Sequence, residues 1–125
     1  MIMKNLLILG AGSAGTMMAN HLRRKLDKRE WKMTIVDEAT IHYYQPGFLF
    51  LPFGIYDEHE IQKSISDFIP SGVELIQESI NKVDPETNTV LLENGTELPY
   101  DILIIASGCK PAPEETEGMK NGLWY

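Results

Sequence analysis

An α/β fold built on a parallel sheet follows from three features of the 125-residue sequence. Leu6 to Leu9 is an unbroken apolar run that leads straight into glycines at positions 10, 12 and 15. A helical apolar pattern comes next. A second strand-like run, Met33 to Val36, then ends in Asp37 and Glu38. Strand, glycine turn, helix and strand within about 30 residues form a βαβ unit, whose crossover makes the two strands parallel.

The glycine spacing carries chemistry. Gly10 lets the chain turn sharply off a strand, and Gly12 removes a Cβ so that backbone N–H groups can approach a pyrophosphate. Gly15 lets the helix pack close to the strand. The amides opening the helix then face the phosphates with partial positive charge. Glycine-rich turns also occur in ordinary loops, but an acid about 20 residues further on favours a dinucleotide cradle. A carboxylate at Asp37 or Glu38 can accept hydrogen bonds from both hydroxyls of an adenosine ribose. It also repels a 2′-phosphate.

The length suits one domain, and 43% hydrophobic residues suffice for a core. The 18 acidic and 11 basic side chains leave a net charge of -7, which gives no footprint for nucleic acid. No apolar run reaches the roughly 18 residues that span a bilayer, and an apolar strand stands where a cleavable signal would, so a cytoplasmic location is expected. Cys109 is the single cysteine, which excludes an internal disulfide and a multi-cysteine metal site. His21, His42 and His59 show no metal-ligand pairing, and no metal is expected.

In chain order, the first helix is expected from about Ser13 to Lys28, with Ala14, Met18, Leu22 and Leu26 as its apolar stripe. Arg23, Arg24, Lys25 and Lys28 read as a solvated, cation-rich helix end that complements the dipole, in preference to the alternative of a phosphate or membrane patch. Trp31 to Val36 is the second strand, entered through a right-handed crossover. Residues 41 to 56, IHYYQPGFLFLPFGIY, carry three Tyr, three Phe and two Pro without a formal charge. These aromatics either fill core beneath the next helix or line an apolar slot beside a planar cofactor ring.

A helix from about Glu58 is expected from the spacing of Ile61, Ile65, Phe68 and Ile69, stopped by Pro70 and Ser71-Gly72. Val73 to Ile76 reads as a third parallel strand. Ser79 to Val83, Thr89 to Glu93 and Glu97 to Leu98, divided by Asp84-Pro85-Glu86 and Asn94-Gly95, read as an antiparallel meander on one face of the sheet. Ile102 to Ala106 is a continuous apolar strand, expected to be buried on both faces. Ala106, Ser107 and Gly108 follow at its carboxyl end, where open α/β sheets bind ligands. After Lys110 the sequence is loop-like, and an ending on Leu123-Trp124-Tyr125 reads as part of a longer protein.

GAGSAG, Val36-Asp37, the HYYQPGFLFLPFG loop and YDILIIASG together resemble the N-terminal part of the two-dinucleotide-binding-domain flavoproteins. The QPG loop and ASGCKPAPEETEG resemble the sulfide:quinone oxidoreductase branch, which also holds flavocytochrome c sulfide dehydrogenases and type II NADH dehydrogenases. The resemblance implies an incomplete Rossmann-like FAD-binding domain over residues 1–125, with the remainder of the enzyme beyond it. It implies Gly10, Gly12, Ala14 and Gly15 along the pyrophosphate, Asp37 or Glu38 on the ribose and Ile80 at the adenine. Ala106, Ser107 and Gly108 would pass near the diphosphate and adenosine half, with His42, Gln45 and Pro46 towards the flavin. The implied reaction is two-electron oxidation of sulfide, with electrons passing through FAD to a quinone, and the implied parent is peripheral to the membrane.

Such enzymes use a pair of redox cysteines, and the thiolate is the attacking form. This chain offers Cys109 as its catalytic candidate, beside the alternative of a small residue in a buried turn. The 125-residue chain alone is expected to be incompetent for turnover and open to self-association. A type II NADH dehydrogenase-like fragment and a non-catalytic dinucleotide-binding module are the competing readings.

Overall fold

The computed structural model describes residues 2–121. Lys4–Leu9 forms strand β1, Ser13–Arg23 helix α1 and Trp31–Val36 strand β2. A short hairpin joins β3 (Ile41–Tyr43) to β4 (Gln62–Ser64). Then come β5 (Glu74–Ile76), the meander β6 (Ile80–Asp84), β7 (Thr89–Leu92) and β8 (Glu97–Pro99), and finally β9 (Ile102–Ile105). The four-stranded sheet has the order β5-β2-β1-β9 with every neighbour parallel.

Alternation along β1 divides the core between two layers. Leu6 and Ile8 face the side of α1, where they pack with Ala19, Met33, Ile35 and Ile65. Leu7 and Leu9 face the meander, packing with Val36, Val90 and Leu92. Each of these side chains is almost fully buried, and burial of one stabilises the fold by about 1.5–3 kcal/mol relative to leaving it in water. The expected meander is therefore present, and it covers one face of the sheet. Its Asn94-Gly95 turn puts Gly95 at φ +85°, and the Gly95 N–H donates to Leu92 O at 3.0 Å. At the other turn the amides of Thr87 and Glu86 donate to Asp84 and hold its carboxyl below the usual range.

Five expectations need correction. α1 ends at Arg23 rather than Lys28. Asp27 stops the chain there by accepting from the Arg29 amide at 2.8 Å and from its guanidinium at 2.7 Å, which turns the backbone towards β2. The buried face of α1 is also rotated: Gly15, Thr16, Ala19 and Arg23 are inside, while Ala14 and Met18 are exposed. Arg23 is thus not part of a solvated end.

No helix forms over residues 58–69. Glu58–Ile61 and Ile65–Phe68 are single 3-10 turns flanking β4, which pairs with β3. A segment this short is marginal as an isolated helix. Backbone pairing extends the hairpin through Tyr44 N–H to Ile61 O at 2.7 Å and Ile65 N–H to Thr40 O at 3.0 Å. The first turn carries a capping box in which Asp57 accepts from His59 N–H and Glu60 accepts from Asp57 N–H. Asp57→Ala should lower stability by about 1 kcal/mol. Urea unfolding measures this, and an unchanged midpoint would show that the turn is held by the hairpin alone.

The aromatic segment does not fill core beneath a helix. Gln45–Phe53 is a 3-10 stretch in which Leu49 is 74% and Phe53 78% exposed. Its Phe48 pairs with Tyr43 at 6.0 Å between ring centroids, and its Phe50 with Tyr56 at 5.8 Å. Finally, β9 is not buried on both faces. It is an edge strand of the sheet, and Ile105 is 66% exposed. Among the described residues no helix is long and apolar enough to cross a membrane. Leu123-Trp124-Tyr125 lie outside the described residues.

Candidate functional site

The carboxyl ends of β1, β2 and β9 meet at the glycine loop. Gly10 leaves β1 with φ +100°, its N–H donating to Val36 O at 2.7 Å, while Ala106 N–H donates to Leu9 O at 2.7 Å. The loop is thereby stitched to the strand on each side. A Cβ on Gly10 would lie 2.6 Å from the Ala106 carbonyl carbon, and one on Gly15 would lie 2.9 Å from that of Gly10. Both glycines serve close packing. Gly12 differs: a Cβ there would meet nothing within 4 Å. It caps α1 in an extended conformation (φ -73°, ψ -165°), with no side-chain cap and no acid in the first turn. The first amides of the helix therefore lack a side-chain acceptor and face an open space.

That space is a cavity of about 540 Å³ lined by Ala11, Gly12, Ser13, Asp37, His42, Gln45 and Pro46, among others. Next to it lies a cavity of about 200 Å³ lined by Gly10, Asp37, Glu38, Glu78, Ser79, Ile80 and Ser107. Asp37 borders both. Its Oδ2 accepts from Ala11 N–H at 2.6 Å and its Oδ1 from Ala39 N–H at 2.8 Å, so this carboxylate fixes the glycine loop to the end of β2. Glu38 faces the smaller cavity, where its Oε2 accepts from Ser79 Oγ at 2.5 Å. His42 is half-buried against Phe68, with ring centroids 4.9 Å apart.

Most sequence-derived candidates thus converge. Gly12, Asp37, His42, Gln45 and Pro46 share the larger cavity, and Gly10, Glu38, Ile80 and Ser107 share the smaller. Gly15 and Ala106 stand behind the loop as packing partners. Ala14, Gly108 and Cys109 are exposed and line neither cavity. Cys109 is therefore not in a buried turn. Ser79 and Glu78 were missed, because nothing local marks them: the partner of Ser79 is 41 residues away.

Geometry and topology define the class as a Rossmann-like α/β domain. More narrowly, residues 4–125 match the model of the pyridine nucleotide-disulphide oxidoreductase family, and the chain belongs to that family. It is 32% identical over 118 residues to the mitochondrial sulfide:quinone oxidoreductase of Dictyostelium discoideum, a match covering 94% of this chain and 26% of that protein. Identity to the type II NADH:quinone oxidoreductase of Staphylococcus aureus is 24%, over 94% of this chain and 29% of that one. The crystal structure of the Aquifex aeolicus sulfide:quinone oxidoreductase superposes with a TM-score of 0.73 at 28% identity, covering 86% of this chain and 25% of that one. The chain spans about a quarter of the length of such relatives.

Proposed function

We propose that residues 1–125 form the N-terminal, FAD-binding segment of a flavoprotein oxidoreductase of the sulfide:quinone oxidoreductase type. The observation that carries this reading is the uncapped start of α1, open at Gly12, beside a cavity edged by Asp37 and Glu38. Amides without acceptors suit a diphosphate, and carboxylates one cavity further on suit a ribose. An adenine dinucleotide spans both. Glu38, oriented by Ser79, holds the ribose, Ile80 packs on the adenine, and Ala106 to Gly108 run beside the diphosphate and adenosine half. Gly10 and Gly12 run along the pyrophosphate, with Gly15 packed behind them against Gly10 and Ala14 outside both cavities. His42, Gln45 and Pro46 line the end that receives the isoalloxazine.

A bound FAD would supply the two-electron carrier between a sulfide donor and a quinone acceptor in the parent. The residues of this chain bind and orient the cofactor. The parent is read as peripheral to the membrane, and the exposed apolar stretch from Tyr43 to Tyr56 supports self-association of the isolated chain.

A type II NADH dehydrogenase is the second reading, supported by the similarity to the Staphylococcus aureus enzyme. Sulfide-dependent quinone reduction by the full-length parent is the expected result. A parent that oxidises NADH but ignores sulfide would move the chain to the second reading. Calorimetry on the chain should show FAD binding, and Asp37→Ala should weaken it by about 1–3 kcal/mol, the cost of losing charged hydrogen bonds that set the loop. Equal affinity in the two proteins would mean that the cofactor does not use this loop.

A further inference from the structure

The opposite end of the parallel sheet carries a separate cavity of about 420 Å³, and cations line it. Arg23, Lys28 and Lys32 reach it, with Glu74 as its one carboxylate and Trp31 as an apolar wall. Glu74 is taken by Lys32 at 3.0 Å. Arg23 and Lys28 have no ion-pair partner among the described residues.

Arg23 is only 8% exposed. Its Nη2 donates to Leu26 O, its Nη1 lies 3.5 Å from Gly72 O, at the outer limit of a hydrogen bond, and its Nε has no partner. Two carbonyls thus engage two of the five N–H donors of a guanidinium. A buried cation in that state is costly unless an opposite charge compensates it. Lys28 does not extend away from the protein either. Its Cε and Nζ lie 3.1 Å from where a Cβ on Gly72 would stand, so its chain folds over that glycine. Two cations without a direct ion pair therefore converge on Gly72, and the nearest opposite charge, Asp27, is already bonded to Arg29.

The charge distribution points the same way. Seven of the 11 lysines and arginines fall between residues 4 and 32, opposed there by Asp27 and Glu30 alone, in a chain whose net charge is -7. The glycine loop lies at the carboxyl ends of the strands, whereas this cavity is edged by their amino ends, Trp31 of β2 and Glu74 of β5 among them.

We propose that this cavity is an oxyanion site for a phosphate group, held by Arg23 and Lys28. A phosphate monoester carries about -1.5 to -2 at neutral pH and offers several acceptor oxygens, enough to engage both cations at once, whereas a carboxylate carries a single charge. Trp31 packs against whatever carries the phosphate. The group comes either from a soluble phosphate or from a phospholipid headgroup.

NMR on the full chain, titrated with inorganic phosphate at constant ionic strength, tests the site, with the Gly12 and Ser13 amides reporting separately on the glycine loop. Saturable shifts of the Gly72 and Val73 amides and the Trp31 indole are expected. Lys28→Ala, a surface change that spares the core, should raise the dissociation constant for phosphate at the Gly72 and Val73 amides about tenfold and leave the ADP titration followed at the Gly12 and Ser13 amides unchanged. Cosedimentation with phosphatidylcholine–phosphatidic acid vesicles that is lost in Lys28→Ala assigns the site to a lipid headgroup. Phosphate shifts without cosedimentation assign it to a soluble phosphate. Absence of a saturable shift at Gly72, or identical shifts in Lys28→Ala, overturns the proposal. A chain that binds phosphate here but shows no ADP binding would instead count against the nucleotide reading of the glycine loop.

Discussion

Gly15→Ala is expected to lower the stability of the domain by roughly 3 kcal/mol, near the upper end of overpacking costs. Helix propensity alone predicts the reverse, since Ala is better than Gly in a helix by about 1 kcal/mol. The clash decides the sign. The new methyl would overlap the Gly10 carbonyl oxygen and stand 2.9 Å from its carbon, and both are backbone atoms that no rotamer change can move aside. Gly10 is itself fixed, because its N–H is bonded to Val36 O and its α-carbon is pressed against the Ala106 carbonyl. α1 would have to lift from β1 and β2, loosening Ala19 from Ile8, Met33 and Ile35. Urea unfolding measures the loss. An unchanged midpoint would mean that α1 slides along the sheet without cost.

What was legible in the sequence was what is encoded locally. The run from Leu6 to Leu9 and the glycines after it specify a strand and a tight turn within ten residues, and β2 and the Asn94-Gly95 hairpin are equally local. Spacing also placed the acids at the end of β2, from which both cavities follow. The failures have a common physical origin in contacts between distant segments. Ile61, Ile65 and Phe68 sit at helical intervals, yet Gln62–Ser64 gains more by pairing with Ile41–Tyr43 than by closing an isolated helix.

Arg23 looked like one of four solvated cations, but the turn at Asp27 folds the chain back and buries it. Ser79 is oriented towards Glu38 only because β6 starts beside the end of β2. Nor could composition tell that residues 41–56 stay on the surface. Two prolines and a left-handed Gly54 wind them into a 3-10 stretch that buries only Gly47.

The second large effect separates function from stability at a single position. Gly12→Asp should leave the fold intact or raise its stability by a few tenths of a kcal/mol, while diphosphate affinity falls by about 3 kcal/mol, roughly a hundredfold. Gly12 is the N-cap of α1 in extended geometry, without a side-chain cap, and a Cβ there meets nothing within 4 Å. An aspartate fits this position sterically and is among the preferred N-cap residues, since its carboxylate accepts from the amides of the first turn and favours the positive end of the helix. Those are the same amides that a diphosphate would engage. The carboxylate would satisfy them internally and place a like charge in the ligand's seat. Chemical unfolding and ADP calorimetry on one preparation check both halves. A variant that keeps wild-type ADP affinity would show that the diphosphate does not lie over the start of α1. One that loses both affinity and stability would show that Gly12 is needed for packing, as Gly10 and Gly15 are.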